Sequence, residues 1–173
     1  KVMRGGVGSG GRFEAVDAAG MALRWARDLC PPRTDEPGAW RALIELLDAL
    51  DEKDTDVRAE LALAALRLLS EVGYALELDR CVVCAKPAPD DRAVTIDPVR
   101  GGIVCRTCGG ARISMSARVR QSARAMQRGE RALPLPEDAA ELIEVAATAM
   151  AGHAEIGERT RSVTKSWRRS GRA

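Results

Sequence analysis

Cys81-Val82-Val83-Cys84 and Cys105-Arg106-Thr107-Cys108, with twenty residues between them, are the stretch from which the rest of this chain is read. Each Cys-x-x-Cys hook turns two sulfurs to one side of a tight bend. A connection of this length has room for a hairpin that returns the second pair to the first, which is the ligand pattern of a zinc ribbon. Cys81, Cys84, Cys105 and Cys108 are therefore the expected metal ligands. Four sulfurs leave no coordination position for water or substrate, so the Zn2+ is expected to be structural. Two redox Cys-x-x-Cys motifs or two disulfides use the same residues; the hairpin between the hooks favours metal. Gly109 follows the second hook where positive φ lets backbone N–H groups turn toward sulfur, and Ala85 holds the equivalent place in the first. Ala93–Ile96 and Gly102–Val104 read as short strands around the turn formers Asp97–Gly101.

Outside the hooks the composition is helical. Ala and Leu dominate and aromatic residues make up only 3%, which favours packed helices over a sandwich or barrel. The expected fold is mainly α, a helical bundle with an inserted β-hairpin zinc ribbon. Its divisions are a flexible segment or domain remnant at 1–13, a helical domain at 14–80 and 113–157, the ribbon at 81–112, and a basic tail at 158–173. No apolar run is long enough for a bilayer and no secretory pattern is present, so no membrane and a cytoplasmic location are expected. Four of five cysteines in hooks suit a reducing compartment, and Cys30 is left as a small buried hydrophobe. The start at Lys1 suggests a fragment of a longer protein.

Periodicity predicts five helices. The first runs from Glu14 to Leu29 with Val16, Ala19, Leu23 and Ala26 inward, and stops before Pro31-Pro32. Pro37 opens the second, whose Trp40, Leu43, Ile44, Leu47 and Leu50 are taken as core. The third, capped by Thr55 and ended by Gly73, is apolar on most sides through Leu61, Ala62, Ala65, Leu66, Leu68 and Leu69, and is read as central. The fourth, capped by Ser114 or Ser116, carries Val119, Ala123 and Met126 on one face. The fifth, Glu137 to Ala151, turns Ala140, Ile143, Ala147 and Met150 inward.

Charge is sorted along the chain. Residues 81–129 hold nine basic residues against three acidic, and 158–173 hold six against one, while the helices between are acidic. On the fourth helix Arg120, Arg124 and Arg128 recur every four residues. Such a row of planar forks suits phosphates, or equally a solubilising face paired with the acidic helices. In the tail, Lys165, Arg168 and Arg169 flank Trp167, a combination that fits nucleic acid or a solvated end. The acid pairs sit beside no histidine or cleft signal, and His153 has no nucleophile near it in sequence, so no catalytic role is expected.

Leu66-Arg67-Leu68-Leu69-Ser70-Glu71-Val72-Gly73-Tyr74-Ala75-Leu76-Glu77-Leu78-Asp79-Arg80-Cys81, continuing to Cys84 and then Gly101-Gly102-Ile103-Val104-Cys105, resembles the C-terminal region of the bacterial DNA repair protein RecO family. Trp40–Asp51 resembles that family's Leu-rich helix, and Gly152-His153 onward its basic closing stretch. The resemblance covers roughly residues 20–165. It implies a DNA repair and recombination mediator of the RecF pathway. Such a protein binds single- and double-stranded DNA, RecR and the C-terminal tail of the single-stranded-DNA-binding protein, loads RecA and anneals strands, and is nucleoid-associated. The family's N-terminal OB-fold is missing unless residues 1–13 are its remnant, which leaves open whether this chain binds DNA. Val72 stands where Leu is usual and Ala85 where Gly is usual. An interaction scaffold stabilised by zinc and without DNA binding is the alternative.

Overall fold

A computed structural model describes residues 10–30, 35–52 and 54–154. In chain order these form α1 (Gly10–Leu29), α2 (Pro37–Asp51), α3 (Val57–Glu71), β1 (Val94–Asp97), β2 (Gly102–Ile103), a single 3-10 turn (Arg106–Cys108), β3 (Ile113–Met115), α4 (Ala117–Gln127) and α5 (Pro136–Ala154). The chain is mainly α with a small antiparallel sheet, as its composition and hooks lead one to expect.

α3 is the central element. It packs against α1, α2, α4 and α5, and every residue from Ala59 through Leu66 is buried. A helix apolar all round is stable only when surrounded. Its start is fixed by Asp56, not Thr55: the Asp56 carboxylate accepts from the N–H groups of Arg58 and Ala59 at 3.1 and 3.0 Å. A charged acceptor meets the positive helix end better than a hydroxyl does. Its end is a Schellman motif, with Gly73 at φ 83, Gly73 N–H donating to Ser70 O and Tyr74 N–H to Leu69 O.

Two of the sequence-derived stripes are out of phase with the core. On α1 the buried face is Ala18, Met21, Ala22, Trp25, Ala26 and Leu29, while Val16 is 69% exposed and Leu23 is also exposed. Two apolar stripes share this helix, and the one carrying the largest side chains, Trp25 and Met21, goes inward because it removes more apolar area from water. On α2 the buried face is Ala39, Ala42, Leu43, Leu46 and Ala49. Of the expected core set only Leu43 is fully buried there; Trp40, 63% exposed, faces solvent with Ile44 and Leu47. The alanines let α2 lie close on α3, where a tryptophan has no room. For α4 the expected face holds, since Val119, Ala123 and Met126 are buried beneath a Ser116 cap that accepts from Val119 N–H at 3.2 Å.

The sheet has the order β2-β1-β3, with Ile96 opposite Ile103 on one side and Val94 opposite Met115 on the other. β3 is a strand too short to show periodicity. Val94, Ile96, Ile103 and Met115 belong to the same apolar cluster as the α3 leucines, so the hairpin is packed onto the bundle. The segment leaving α3 is tied to it as well: Glu77 pairs in parallel with Gly102, its N–H donating to Gly101 O at 2.8 Å and its carbonyl accepting from Ile103 N–H at 3.0 Å.

Candidate metal centre

The two hooks meet. The Sγ atoms of Cys81, Cys84, Cys105 and Cys108 all lie within 4.8 Å of one another, and those of Cys84 and Cys105 are 3.7 Å apart. A tetrahedron with metal–sulfur distances of about 2.3 Å has edges of about 3.8 Å, so this array matches the size of a four-thiolate zinc site.

Local backbone structure explains how the hooks form. Ala85 N–H donates to Cys81 O at 2.8 Å in the first knuckle, and Gly110 N–H donates to Cys105 O at 3.0 Å in the second. Gly109 turns through φ 99 and Ala85 through φ 58, the latter a left-handed conformation adopted without a glycine. Cys81 Sγ accepts from the N–H groups of Val83 and Cys105 at 3.4 and 3.3 Å. The Cys105 N–H in particular favours the thiolate and brings Cys81 from an ordinary 9.0 to about 6. Cys105 is lowered chiefly by the Cys108 N–H. Cys108 is pushed the other way, to about 12, by sharing its proton with the Cys105 and Cys84 sulfurs. Sulfurs this close cannot all carry charge by themselves. A divalent cation held by the four sulfurs would remove that conflict, and such a site would leave no open position for chemistry on a substrate.

The arginines of α4 do not form an outward row. Arg120 is fully buried; its Nη2 donates to Pro89 O and lies 3.4 Å from Asp90, while Nε and Nη1 find no partner. Arg124 is largely covered; it donates to Leu78 O and to Asp90 at 2.7 Å, and is ion-paired with Asp79 at 2.6 Å. That Arg124 hydrogen bond holds the Asp90 carboxyl below its ordinary value. Of the three expected arginines only Arg128 reaches solvent, paired with Glu130 at 2.8 Å. The expected outward row of three arginines is thus not formed: four-residue spacing on a helix drifts around its axis, and Arg120 and Arg124 fall under the ribbon.

Residues 12–162 match the family described as Recombination protein O C terminal. The chain belongs to the RecO C-terminal family. A curated relative, the DNA repair protein RecO of Desulfatibacillum aliphaticivorans, is 36% identical over 99 residues, which cover 54% of this chain and 38% of that protein. The matched stretch thus spans well under half of the relative's length. In this RecO-family chain the paired hooks are brought together and the arginine row is not, while Lys165, Arg168, Arg169 and the basic tail lie outside the described residues. The acidic partners Asp79 and Asp90 escape a reading of the sequence, since they lie 45 and 34 positions before Arg124. Among the described residues, no helix is long and apolar enough to cross a membrane.

Proposed function

We propose that this chain is a mediator module of DNA repair and recombination. In it a helical bundle carries a structural zinc ribbon, binds single- and double-stranded DNA, RecR and the C-terminal tail of the single-stranded-DNA-binding protein, and supports RecA loading and annealing in the cytoplasm. The observation that carries this is the convergence of four cysteine sulfurs in a chain of the RecO C-terminal family. Cys81, Cys84, Cys105 and Cys108 would hold the Zn2+, whose contribution is to close the fold of residues 81–112.

With Arg120 and Arg124 turned inward, phosphates are left to Arg128, to the ribbon and to the tail residues Lys165, Arg168 and Arg169. Lys86, Arg92, Arg100, Arg106 and Arg112 are the ribbon's cations and all five are exposed; Arg100 pairs with Asp97 at 3.5 Å, and among the described residues the other four form no ion pair. A second reading, a scaffold for proteins only, is favoured by the solvent-facing apolar rows Phe13, Val16 and Leu23 on α1 and Trp40, Ile44 and Leu47 on α2. Fluorescence anisotropy with a labelled single strand over a salt series separates the two. Affinity falling steeply with salt supports the mediator, because phosphate contacts release counterions. No binding at low salt, together with calorimetric binding of the acidic tail peptide, supports the scaffold.

A further inference from the structure

The first hook sits at the tip of a two-armed loop. Residues 78–81 run outward and 86–90 return, joined by Cys81 N–H to Lys86 O at 2.9 Å, Ala88 N–H to Asp79 O at 2.8 Å, and a bridge between Arg80 and Pro87. α4 lies under the base of this loop, and two arginines one turn apart each take an arm. Arg124 donates from Nε and Nη2 to Leu78 O at 3.2 and 2.9 Å on the outgoing arm. Arg120 donates to Pro89 O on the returning arm, and both guanidiniums share Asp90. The second hook has Gly109 and Gly110 at φ 99 and 65, and among the described residues no arginine hydrogen bond reaches it.

We propose that Arg120 and Arg124 are positioning residues for the metal, clamping the loop so that Cys81 and Cys84 are set before an ion arrives. This rests on the four-thiolate site of the preceding section. Two observations carry it. The clamped knuckle is the one that turns through Ala85 at φ 58, a conformation unfavourable for any residue with a Cβ, so the arms need an external hold that the glycine-built knuckle does not. Moreover, Arg120 is a fully buried guanidinium with Nε and Nη1 unpartnered. A methionine would fill that space without stranding polar atoms, so packing alone does not account for the arginine. What the guanidinium adds is a single nitrogen, Nη2, that reaches both a carbonyl and a carboxylate of the metal-bearing loop.

The test is Co2+ titration of the full chain, read by the sulfur-to-metal absorption band and followed by Zn2+ competition, in Arg120→Met, Arg124→Gln and Asp90→Ala. Arg131→Met is the matched control, since it strips a partner from the buried Glu60 on α3 and touches no part of the loop. The clamp predicts at least about 10-fold weaker metal binding in the first three, with the tetrahedral spectrum retained. It also predicts faster exchange of the Cys81, Ala85 and Ala88 amides in the metal-free protein. Arg131→Met should lose thermal stability at unchanged affinity. Unchanged affinity in folded Arg124→Gln and Asp90→Ala overturns the clamp alone, as does an equal loss in Arg131→Met. A parent chain that takes up no Co2+ overturns the site and the clamp together. Should Arg120→Met fail to fold, Arg124→Gln and Asp90→Ala decide, because Asp90 is 76% exposed and its loss opens no cavity.

Discussion

A single methyl group at Gly102 is expected to separate the ribbon from the helix that feeds it. A Cβ built there lies 2.9 Å from both the Cβ and the backbone N of Glu77, and closer still to the Glu77 carbonyl oxygen. None of these atoms except the Cβ belongs to a side chain, so a rotamer change cannot relieve the contact and the strands must part. Parting them breaks Glu77 N–H to Gly101 O and Ile103 N–H to Glu77 O. Two backbone hydrogen bonds at about 1 kcal/mol each, with about 1–3 kcal/mol of overpacking, give an expected loss of about 3–5 kcal/mol for Gly102→Ala. Gly101→Ala is the comparison: φ is 81 but nothing lies within 4 Å of the added carbon, so only the conformational cost of about 1 kcal/mol applies. Urea unfolding of the zinc-loaded chain, followed by far-UV circular dichroism, reads both. A slope of about 2 kcal/mol per molar converts the difference to a midpoint about 1–2 M lower for Gly102→Ala than for Gly101→Ala. Equal midpoints would refute the claim that backbone contact at Glu77 is what demands glycine.

Four further outcomes follow from the same geometry. Cys105→Ser should abolish stoichiometric zinc, measured by elemental analysis, and loosen residues 81–112 to hydrogen exchange while the helical dichroism persists. Ala85→Gly should stabilise the metal-loaded chain by about 1 kcal/mol in chemical denaturation, because φ 58 costs a Cβ-bearing residue what glycine does not feel. In chelator-treated protein, stability should rise with pH from about 6 toward 9, where unfolded Cys81 still holds the proton its folded form has released. It should fall above 9, where folded Cys108, near 12, keeps a proton the unfolded thiol has lost; thermal unfolding from pH 6 to 11 checks both limbs. Replacing Lys86, Arg106 and Arg112 by Ala should lower the slope of log affinity for single strands against log salt by up to about 0.7 per contact, whereas Arg120→Ala should change stability and leave that slope alone.

What the sequence determined by itself is whatever local chemistry enforces. The hooks, the glycine that stops α3 and a serine cap of α4 at Ser114 or Ser116 were all legible, because each depends on residues within a few positions of one another, and the structure selects Ser116. The meeting of Cys84 with Cys105 was legible too, since few ways exist to satisfy paired thiols separated by a hairpin. Tertiary structure alone decided where two patterns of equal period competed. Val16 and Leu23 fit a helical stripe as well as Met21 and Trp25 do, and only the space beside α3 selects between them. It likewise turned Trp40 outward, where a close helix contact needed alanine, and turned Arg120 inward. A guanidinium on a basic helix reads as solvent-facing until Pro89 and Asp90, thirty or so residues earlier, are folded over it. Long-range partners of this kind leave no periodic trace, so the burial of that charge is a property of the assembled fold and not of any segment of the chain.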